Sequence, residues 1–524
     1  MKRTMTYMLL AILVLTSLMP VVSVFAKTEI KVLLNGKEIA FDQPPMIISG
    51  RTMIPVRIVA EALGIKGDWN NDTKTAVFSN NNTSIKLSAG NKIAEVNGMK
   101  VELDVSALIV EGRILIPLRF ISEYFNVNVD WNAEKRVITM RNKKHLNETK
   151  ASTVEKELGL APYVPSKAFN QRPGLYVENG IMMHEGEPYA QIGVNFFGAF
   201  YGAFNGNDQC SEIFSLMNEY GIEYARINMG LFWPVEYGRW AANKKYYYEV
   251  MDRVVRSAEE HGIGLICSMF WNPMGFSDYC KEPFNAWADS KSKTRKLMHE
   301  YVETVVTRYK DSPAIWGWEY ANEYNLFIDL PNAADQLKNS VITELGQPPV
   351  RVDEDICRTE WASEVLIVFA EIVRDYDPYN RMITSGNGEP RPSQYNQRIN
   401  NTWKKDTVEE MAETLKWHNP DPIDTVSIHT YSVLERLFEG EDTFEVQIAV
   451  FKQESAKLGK PLFIGEFSWE DGPSQKIIDA IVVNKVPISA LWAIGSVEYA
   501  LDTNPKLRAK ILSYIMEANK KMKA

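Results

Sequence analysis

The sequence predicts an α/β chain in which a (β/α)8 TIM barrel follows a smaller α+β accessory domain built from two repeats. Three observations predict this fold class. Eight apolar, strand-like segments alternate with amphipathic helical patterns in residues 173–524, a motif recurs at a fixed offset before residue 143, and a polar stretch lies between. The 524 residues are ample for two or more packed domains.

The first element is a targeting segment. Lys2 and Arg3 precede the apolar run of residues 8–24, and Val24-Phe25-Ala26 is typical of a small-residue cleavage site. We expect residues 1–26 to be a signal peptide cleaved after Ala26. The alternative, an uncleaved membrane anchor, is disfavoured because the run is short and is broken by Pro20. The mature protein is therefore expected to be secreted, with retention at the cell surface left open.

The second element, residues 27–142, is a duplicated unit. Gly50 and Gly112 open GRTMIPVR and GRILIPLR, and the pairs Pro55/Pro117, Arg57/Arg119 and Trp69/Trp131 keep the same offset of 62. Asn-Gly pairs at residues 35–36 and 97–98 share this offset, and Asn-Gly between alternating apolar residues favours a hairpin. Two units that share one core are the simplest interpretation.

These motifs resemble the copper amine oxidase N-terminal-like domain through GRxxIPxR and DWN. The resemblance implies an accessory module of secreted bacterial proteins, which we interpret as a binding or cell-wall attachment domain, with a passive spacer as the alternative. Residues 27–144 contain no His and no Cys, so the usual copper ligands are missing and we infer no amine oxidase activity.

The third element, residues 143–172, is polar and proline-rich and predicts a partly helical linker. The barrel domain, residues 173–524, follows. Its candidate strands begin at Ile192, Tyr224, Ile263, Ala314, Arg381, Asp424, Pro461 and Ile488. An open doubly wound sheet is the alternative, but no Gly-rich phosphate loop follows the first strand.

The composition of the chain disfavours several classes of binding partner and of cysteine site. A net charge of -9 disfavours nucleic acid and anionic membrane surfaces. Four dispersed cysteines indicate neither a disulfide scaffold nor a zinc site, and Cys267 is expected to be a buried thiol. Thirteen Trp and 23 Tyr are compatible with a large core and with sugar-binding surfaces. We expect no cofactor and no metal.

Two glutamates stand where strands end. Glu323, in WGWEYANEYN, follows the fourth strand candidate, and Glu466, in FIGEFSWEDG, follows the seventh. The active site of such a barrel lies at the carboxyl ends of its strands. A single glutamate there is often only solvated, but two at matching heights predict glycoside hydrolysis, which needs one acid and one carboxylate. We expect the pKa of the acid to be raised by its ionised neighbour.

From Gly174 to the C-terminus the chain resembles the family 5 glycoside hydrolases, the cellulase-like group of barrel clan A. Asn322-Glu323 resembles the Asn-Glu signature after strand four, which implies that Glu323 is the acid/base and that Asn322 binds the sugar 2-hydroxyl. Glu466 resembles the nucleophile after strand seven. The resemblance further implies substrate-site roles for Arg226, His429, Tyr431 and Trp492.

One position departs from that family. Many members carry a His after strand three, where this chain has Trp271 and Asn272. We expect these residues either to take over sugar contacts or to cap the barrel. Long insertions after strands four and five should shape the cleft.

The predicted function is retaining cleavage of a β-linked polysaccharide or oligosaccharide of the β-mannan or β-glucan type. The alternative is a non-catalytic surface protein whose barrel binds glycan without cleaving it. The intact pair of glutamates disfavours that alternative.

Overall fold

The computed structural model forms two compact units, residues 1–144 and residues 145–524. The described residues are 30–34, 37–48, 51–63, 65–79, 84–96, 99–103, 105–118, 120, 127–132, 136–142, 153–169, 172–339, 341–432, 443–495 and 500–523. The predicted signal peptide and both Asn-Gly turns lie outside them. No described helix is long and apolar enough to cross a membrane.

The first unit consists of three sheets around one core. Its strands are β1 (Lys31–Leu34), β2 (Lys37–Glu38), β3 (Met46–Ile48), β4 (Arg51–Pro55), β5 (Lys66–Asn70), β6 (Thr75–Ser79), β7 (Ser84–Ser88), β8 (Ile93–Val96), β9 (Met99–Glu102), β10 (Leu108–Val110), β11 (Arg113–Pro117), β12 (Val127–Asn132) and β13 (Val137–Asn142). The sheet orders are β12-β13-β1-β2, β10-β11-β4-β3 and β5-β6-β7-β8-β9. Helix α1 (Val56–Ala62) follows β4.

The duplication predicted from the 62-residue offset is visible in the pairing. Strands β4 and β11 run antiparallel with Ile54 opposite Ile116, so equivalent residues of the two repeats face each other across a local twofold axis. Buried side chains from both repeats form a single cluster. The shared core expected from the sequence is therefore confirmed.

The second unit begins with residues that pack on the barrel. Helix α2 (Thr153–Leu158) lies in the predicted linker, and its Glu155 accepts a hydrogen bond from the buried Arg308. The backbone N–H of Ser166 donates to Glu259 at 2.7 Å. The described part of residues 143–172 is thus attached to the barrel, and the domain boundaries stay predictions.

An eight-stranded parallel sheet forms the barrel. Its strands are β17 (Gln191–Asn195), β18 (Tyr224–Asn228), β19 (Gly264–Phe270), β20 (Ile315–Ala321), β21 (Met382–Thr384), β22 (Val426–Thr430), β23 (Leu462–Phe467) and β24 (Ile488–Leu491). Their spatial order is β21-β20-β19-β18-β17-β24-β23-β22. Between β21 and β22 the backbone N–H of Asp424 donates to the carbonyl of Ile383 at 2.9 Å, which joins the two edges. The predicted barrel is confirmed.

Helices cover the outside of this barrel. They are α3 (Gly198–Phe204), α4 (Cys210–Glu219), α5 (Pro234–Ala242), α6 (Lys244–His261), α7 (Pro273–Cys280), α8 (Lys293–Tyr309), α9 (Ala333–Asn339), α10 (Thr359–Tyr376), α11 (Gln394–Asn400), α12 (Val408–His418), α13 (Phe444–Lys457), α14 (Pro473–Val483), α15 (Ala500–Thr503) and α16 (Pro505–Lys523). Helix α6 begins after the capping side chain of Asn243 and ends at Gly262, whose φ of 67° suits a residue without Cβ.

A small antiparallel sheet closes the amino-terminal end of the barrel. It consists of β14 (Leu175–Glu178), β15 (Ile181–His184) and β16 (Glu187–Pro188). Leu175 and Met182 pack there against barrel residues that include Tyr224 and Phe463. The insertions lie at the opposite, carboxyl end of the barrel.

All four cysteines are buried and free.

Candidate active site

The carboxyl ends of the barrel strands bring most of the predicted site residues together. Arg226 comes from β18, Asn322 and Glu323 follow β20, His429 and Tyr431 come from the end of β22, and Glu466 from β23. Parallel strands of one barrel place their carboxyl ends on the same face. Residues more than 200 positions apart in the chain are therefore neighbours in this cleft.

Arg226 is the fully buried centre of the site, with 0% of its surface exposed. Its Nε and Nη2 donate to Glu319, and Nη1 donates to Glu466 at 2.9 Å. Asn195 and Asn322 accept its remaining hydrogens at 2.9 and 2.7 Å. Burial acts to lower the pKa of Arg226, but Glu319 and Glu466 outweigh burial and raise it. The guanidinium is therefore permanently charged and rigidly oriented.

Glu466 is held from several sides. Only 3% of it is exposed, Arg226 donates to Oε1, and the Tyr431 hydroxyl donates a short hydrogen bond to Oε2. Desolvation, followed by the charge of Glu466, raises the pKa of Tyr431, so the phenol stays a donor. These contacts stabilise Glu466 as a carboxylate in a fixed orientation.

Glu323 is less buried than Glu466, with 33% of its side chain exposed. Its backbone is left-handed, with φ of 49°, and its N–H donates to the carbonyl of Gly386 at 2.9 Å. Its Oε1 lies 2.9 Å from Nδ1 of His429. Since an ionised carboxylate only accepts, Nδ1 carries the proton in this contact. A Cβ at Gly465 would lie 2.7 Å from Nε2 of His429. The absence of a side chain at Gly465 therefore leaves room for the His429 ring.

The pKa of Glu323 differs from the sequence-based expectation. Burial acts to raise it, but the hydrogen bond from His429, together with the charges of His429 and Arg226, outweighs burial and holds the pKa below its usual value. The expectation of a raised pKa is wrong for this conformation. The sequence could not show that the His429 ring points its Nδ1 at this carboxylate.

The two glutamates approach each other closely. One oxygen of Glu323, one of Glu466 and a ring nitrogen of His429 all lie within 4.8 Å of one another. The same three groups offer a nitrogen and two oxygens, a donor set that divalent transition metals accept. Arg226 and Tyr431 also bond the Glu466 carboxylate.

Aromatic rings form one wall of the cleft. Trp271 lies with its ring 4.5 Å from the Arg226 guanidinium carbon and 5.8 Å from the ring of Trp492. Phe197, which was not singled out from the sequence, contacts Trp271 at 5.1 Å. The backbone N–H of Trp492 donates to Phe467 at 3.0 Å, which fixes it beside the strand of Glu466.

Asn272 occupies a structural position. Its Oδ1 accepts the N–H of Gly275 at 3.3 Å and so caps α7, while its Nδ2 donates to the carbonyl of Phe232 at 3.0 Å. Both ends of the amide are therefore bonded within the protein. This helix cap is a different role from the two that were expected, and both a sugar contact and a barrel-capping role for Asn272 stay predictions.

Sequence reasoning missed Glu319, a fully buried carboxylate in the middle of β20. It accepts three hydrogen bonds from Arg226, at 3.0, 2.9 and 2.7 Å. A charged residue inside an otherwise apolar strand was the available signal, because burying a charge is costly unless it is paired. The pair holds Arg226 in place for Glu466.

A second missed carboxyl is Glu389, in the loop after β21. Its Oε1 accepts from Thr430 at 2.6 Å and from Gln447 at 2.7 Å, and no ion pair to it is found within the described ranges. Burial raises the pKa of Glu389 to about 8, with the charge of Glu323 acting in the same direction. It is therefore neutral at neutral pH, beside an ionised Glu323.

Two family models match the chain. The Copper amine oxidase N-terminal domain matches residues 33–140, and the Cellulase (glycosyl hydrolase family 5) model matches residues 182–496. Together they cover both units and agree with both resemblances drawn from the motifs.

Individual relatives are similar over shorter stretches. A probable mannan endo-1,4-beta-mannosidase A of Aspergillus clavatus is 40% identical over 80 residues, which are 14% of this chain and 22% of that protein. A mannan endo-1,4-beta-mannosidase A of Podospora anserina is 36% identical over 78 residues, 14% of this chain and 21% of that protein. The matches thus span about a fifth of these relatives.

Solved structures are similar at low identity. The endo-1,4-beta-mannanase of Rhizomucor miehei has a TM-score of 0.49 and 16% identity, covering 67% of this chain and 99% of its own. A beta-glucanase of Saccharophagus degradans has a TM-score of 0.45 and 13% identity, covering 68% of this chain and 96% of its own.

Proposed function

The chain belongs to glycosyl hydrolase family 5, and on that premise we propose that its barrel hydrolyses a β-linked glycan with retention of configuration. The observation that carries the proposal is the approach of Glu323 and Glu466 to within 4.8 Å. Retaining enzymes hold their two carboxyl groups about 5 Å apart, whereas inverting enzymes leave roughly 6.5–9.5 Å for a water.

In the first step Glu466 is the nucleophile. Its carboxylate oxygen forms a bond to the anomeric carbon while the glycosidic C–O bond breaks, and Glu323, in the fraction of the enzyme in which it is protonated, gives that proton to the leaving oxygen. The products are a glycosyl ester of Glu466, an ionised Glu323 and a released alcohol. Glu466 suits this role because it is buried and fixed by its hydrogen bond from Arg226.

In the second step Glu323 is the base. It takes a proton from water as the water oxygen bonds the anomeric carbon and the ester bond to Glu466 breaks, which restores both carboxyl groups. Its partial exposure and its hydrogen bond to His429 suit a group that must gain and lose a proton in each turnover.

The remaining residues orient the sugar and the nucleophile. Asn322, bonded to Arg226 through Oδ1, keeps its amide N–H groups for the sugar 2-hydroxyl. Tyr431 loses its hydrogen-bond acceptor as Glu466 becomes an ester and is then free to donate to the sugar ring oxygen. Trp492, which is partly exposed, provides apolar surface for a pyranose ring, and the buried Trp271 packs against it.

The substrate proposed is β-mannan or β-glucan, with mannan first. The names of the Aspergillus and Podospora relatives support mannan, and the aromatic wall of the cleft is compatible with either polymer. We also propose export from the cell on the basis of residues 1–26, which amino-terminal sequencing of protein recovered from medium would test.

The test is release of reducing sugar from mannans, β-glucans and xylans by the mature protein and by Glu466→Ala. Release from one polymer, lost in the variant, is the expected result. Activity that persists in Glu466→Ala would contradict the assigned nucleophile. Thermal stabilisation by oligosaccharides without any product would instead favour a barrel that only binds glycan.

A further inference from the structure

A groove of about 230 Å³ lies in the first unit between the edges of two sheets. Strand β5 is the edge of one sheet, and β10 is the edge of another. Trp69 and Ile109 stand at its walls, Phe78 and Ile114 line it, and Arg57 and Arg113 provide its polar groups. This groove was not anticipated from the sequence.

Trp69 is exposed because of its place in the sheet. It pairs with Ala76, and Gly67 pairs with Phe78, so Trp69 lies on the face that carries the buried Ala76 and Phe78. The core ends at this edge strand, and 43% of Trp69 stays exposed, as does 43% of Ile109. A Cβ at Gly67 would lie 2.8 Å from the Phe78 ring, so the glycine keeps the groove open beside Trp69.

Both arginines of the groove are already paired with carboxylates. Arg113 donates to Asp42, with Nε at 2.8 Å, and Nε of Arg57 donates to Glu61 at 2.8 Å. An anionic ligand would have to compete with these carboxylates for the guanidinium groups. An uncharged ligand with many hydroxyl groups would not, since hydroxyls can accept the guanidinium hydrogens that remain.

We propose that this groove binds the uncharged β-linked polysaccharide on which the barrel acts, with a pyranose ring stacked on Trp69. The substrate class rests on the proposed function. Burial of the exposed indole face drives the contact, and the rim of Arg57, Asp68 and Arg113 bonds ring hydroxyls. The unit then holds the enzyme on an insoluble polymer.

The repeat supplies a second copy of the same residues. At the offset of 62, Arg51, Arg119 and Trp131 correspond to Arg113, Arg57 and Trp69. Ile47, the counterpart of Ile109, is 49% exposed. The Trp131 side chain lies outside the described residues, so its role is tested only by substitution. A second ring contact on the same unit would strengthen retention through avidity.

The experiment measures retention of the full chain on insoluble mannan and cellulose, in a Glu466→Ala background so that the polymer is not consumed. Trp69→Ala is expected to weaken binding about tenfold, equivalent to about 1.4 kcal/mol. Trp131→Ala and the double variant would extend the series. Trp69→Tyr should keep most of the binding because it keeps a ring. The matched control is Ile93→Ala, a 41% exposed residue of the same unit outside the groove.

Equal retention of Trp69→Ala and Ile93→Ala would overturn the proposal, and so would retention only on polygalacturonate that is lost at high salt. If the groove instead bound an extended peptide through the backbone of β5, Trp69→Ala would not weaken that binding, and this result would also overturn the proposal. A thermal melt of each variant shows whether it folds, and Trp69→Tyr keeps the test decisive if Trp69→Ala does not. Hydrolysis of soluble oligosaccharides by the wild type is measured separately, so a failure of the proposed function is seen apart from a failure of the groove.

Discussion

The two glutamates of the cleft occupy opposite kinds of environment. Glu466 is 3% exposed and bonded to a buried arginine and a tyrosine, whereas 33% of the Glu323 side chain is exposed and its side-chain partner is His429. A nucleophile gains from a fixed position and a fixed charge. An acid/base must exchange protons, and partial exposure beside the titratable His429 allows that. The difference supports the proposed roles of Glu466 as nucleophile and Glu323 as acid/base.

Removing each carboxylate in turn and adding azide tests the proposed roles of Glu466 and Glu323 separately. Glu466→Ala should lower kcat at least about 10⁴-fold, because the covalent route is lost. Azide should restore turnover through a glycosyl azide of inverted configuration, whereas rescue of Glu323→Ala should give retained configuration. Product stereochemistry by NMR is the measurement, and exchanged stereochemistry would reverse the assignment.

Glu323→Ala should be less severe and should depend on the leaving group. General acid catalysis typically contributes about 10²–10⁴-fold. That loss should appear in full on the polymer and shrink on an aryl glycoside whose leaving group needs no proton. Comparing kcat/KM on the two substrates measures it, and an equal loss on both would contradict the acid role.

The support of Glu466 can be tested through Arg226→Met. This substitution leaves the buried carboxylates of Glu319 and Glu466 without their arginine. It should lower the free energy of unfolding by about 3–5 kcal/mol and should also reduce activity. Arg381→Met is the matched control, since Arg381 is equally buried but pairs with Asp377 outside the cleft. Urea denaturation of both, with activity of the folded fraction, should show similar destabilisation but lost catalysis only for Arg226→Met.

His429→Gln should move the pH profile. The hydrogen bond from His429 lowers the pKa of Glu323, so weakening it raises that pKa, and Glu323 keeps its proton to higher pH. The alkaline limb of kcat/KM should then shift upward, with reduced overall activity. Tyr431→Phe, which removes a hydrogen bond to Glu466 but none to Glu323, should leave that limb in place. An unchanged limb in His429→Gln would mean that burial, not His429, sets the Glu323 pKa.

The last substitution concerns Glu389, a buried carboxyl with no cationic partner among the described residues. It is expected to change the pH dependence of stability. Its folded pKa of about 8 lies above the usual value, so the folded state holds a proton that the unfolded state has released. Its contribution to stability is complete below the unfolded pKa and is lost as the pH rises towards 8, with a slope of at most about 1.4 kcal/mol per pH unit. Glu389→Gln should flatten the pH dependence of Tm in this window, and an unchanged slope would refute the neutral carboxyl.

The sequence located these carboxylates only in part. Glu323 and Glu466 were predictable because apolar parallel strands end on one face, which fixes where polar residues following them must meet. The partners Glu319 and Asn195 were not, since both face the barrel interior and reach Arg226 from β20 and β17, on either side of its strand β18. Glu389 reaches the cleft through a loop whose path depends on Gly386, where a Cβ would lie 1.8 Å from the carbonyl of Ala321. Such contacts arise from packing across long chain separations, which local patterns do not record.

The opposition of Ile54 and Ile116 has a consequence for how the first unit can be cut. Each repeat supplies the neighbouring strand of the other, because β4 pairs with β11 and β1 pairs with β13. The unit is thus an isologous pair tied into one chain. A fragment that contains one repeat would present bare strand edges and seek a second copy of itself, so half of this unit should behave as a homodimer or an aggregate, not as a smaller monomer.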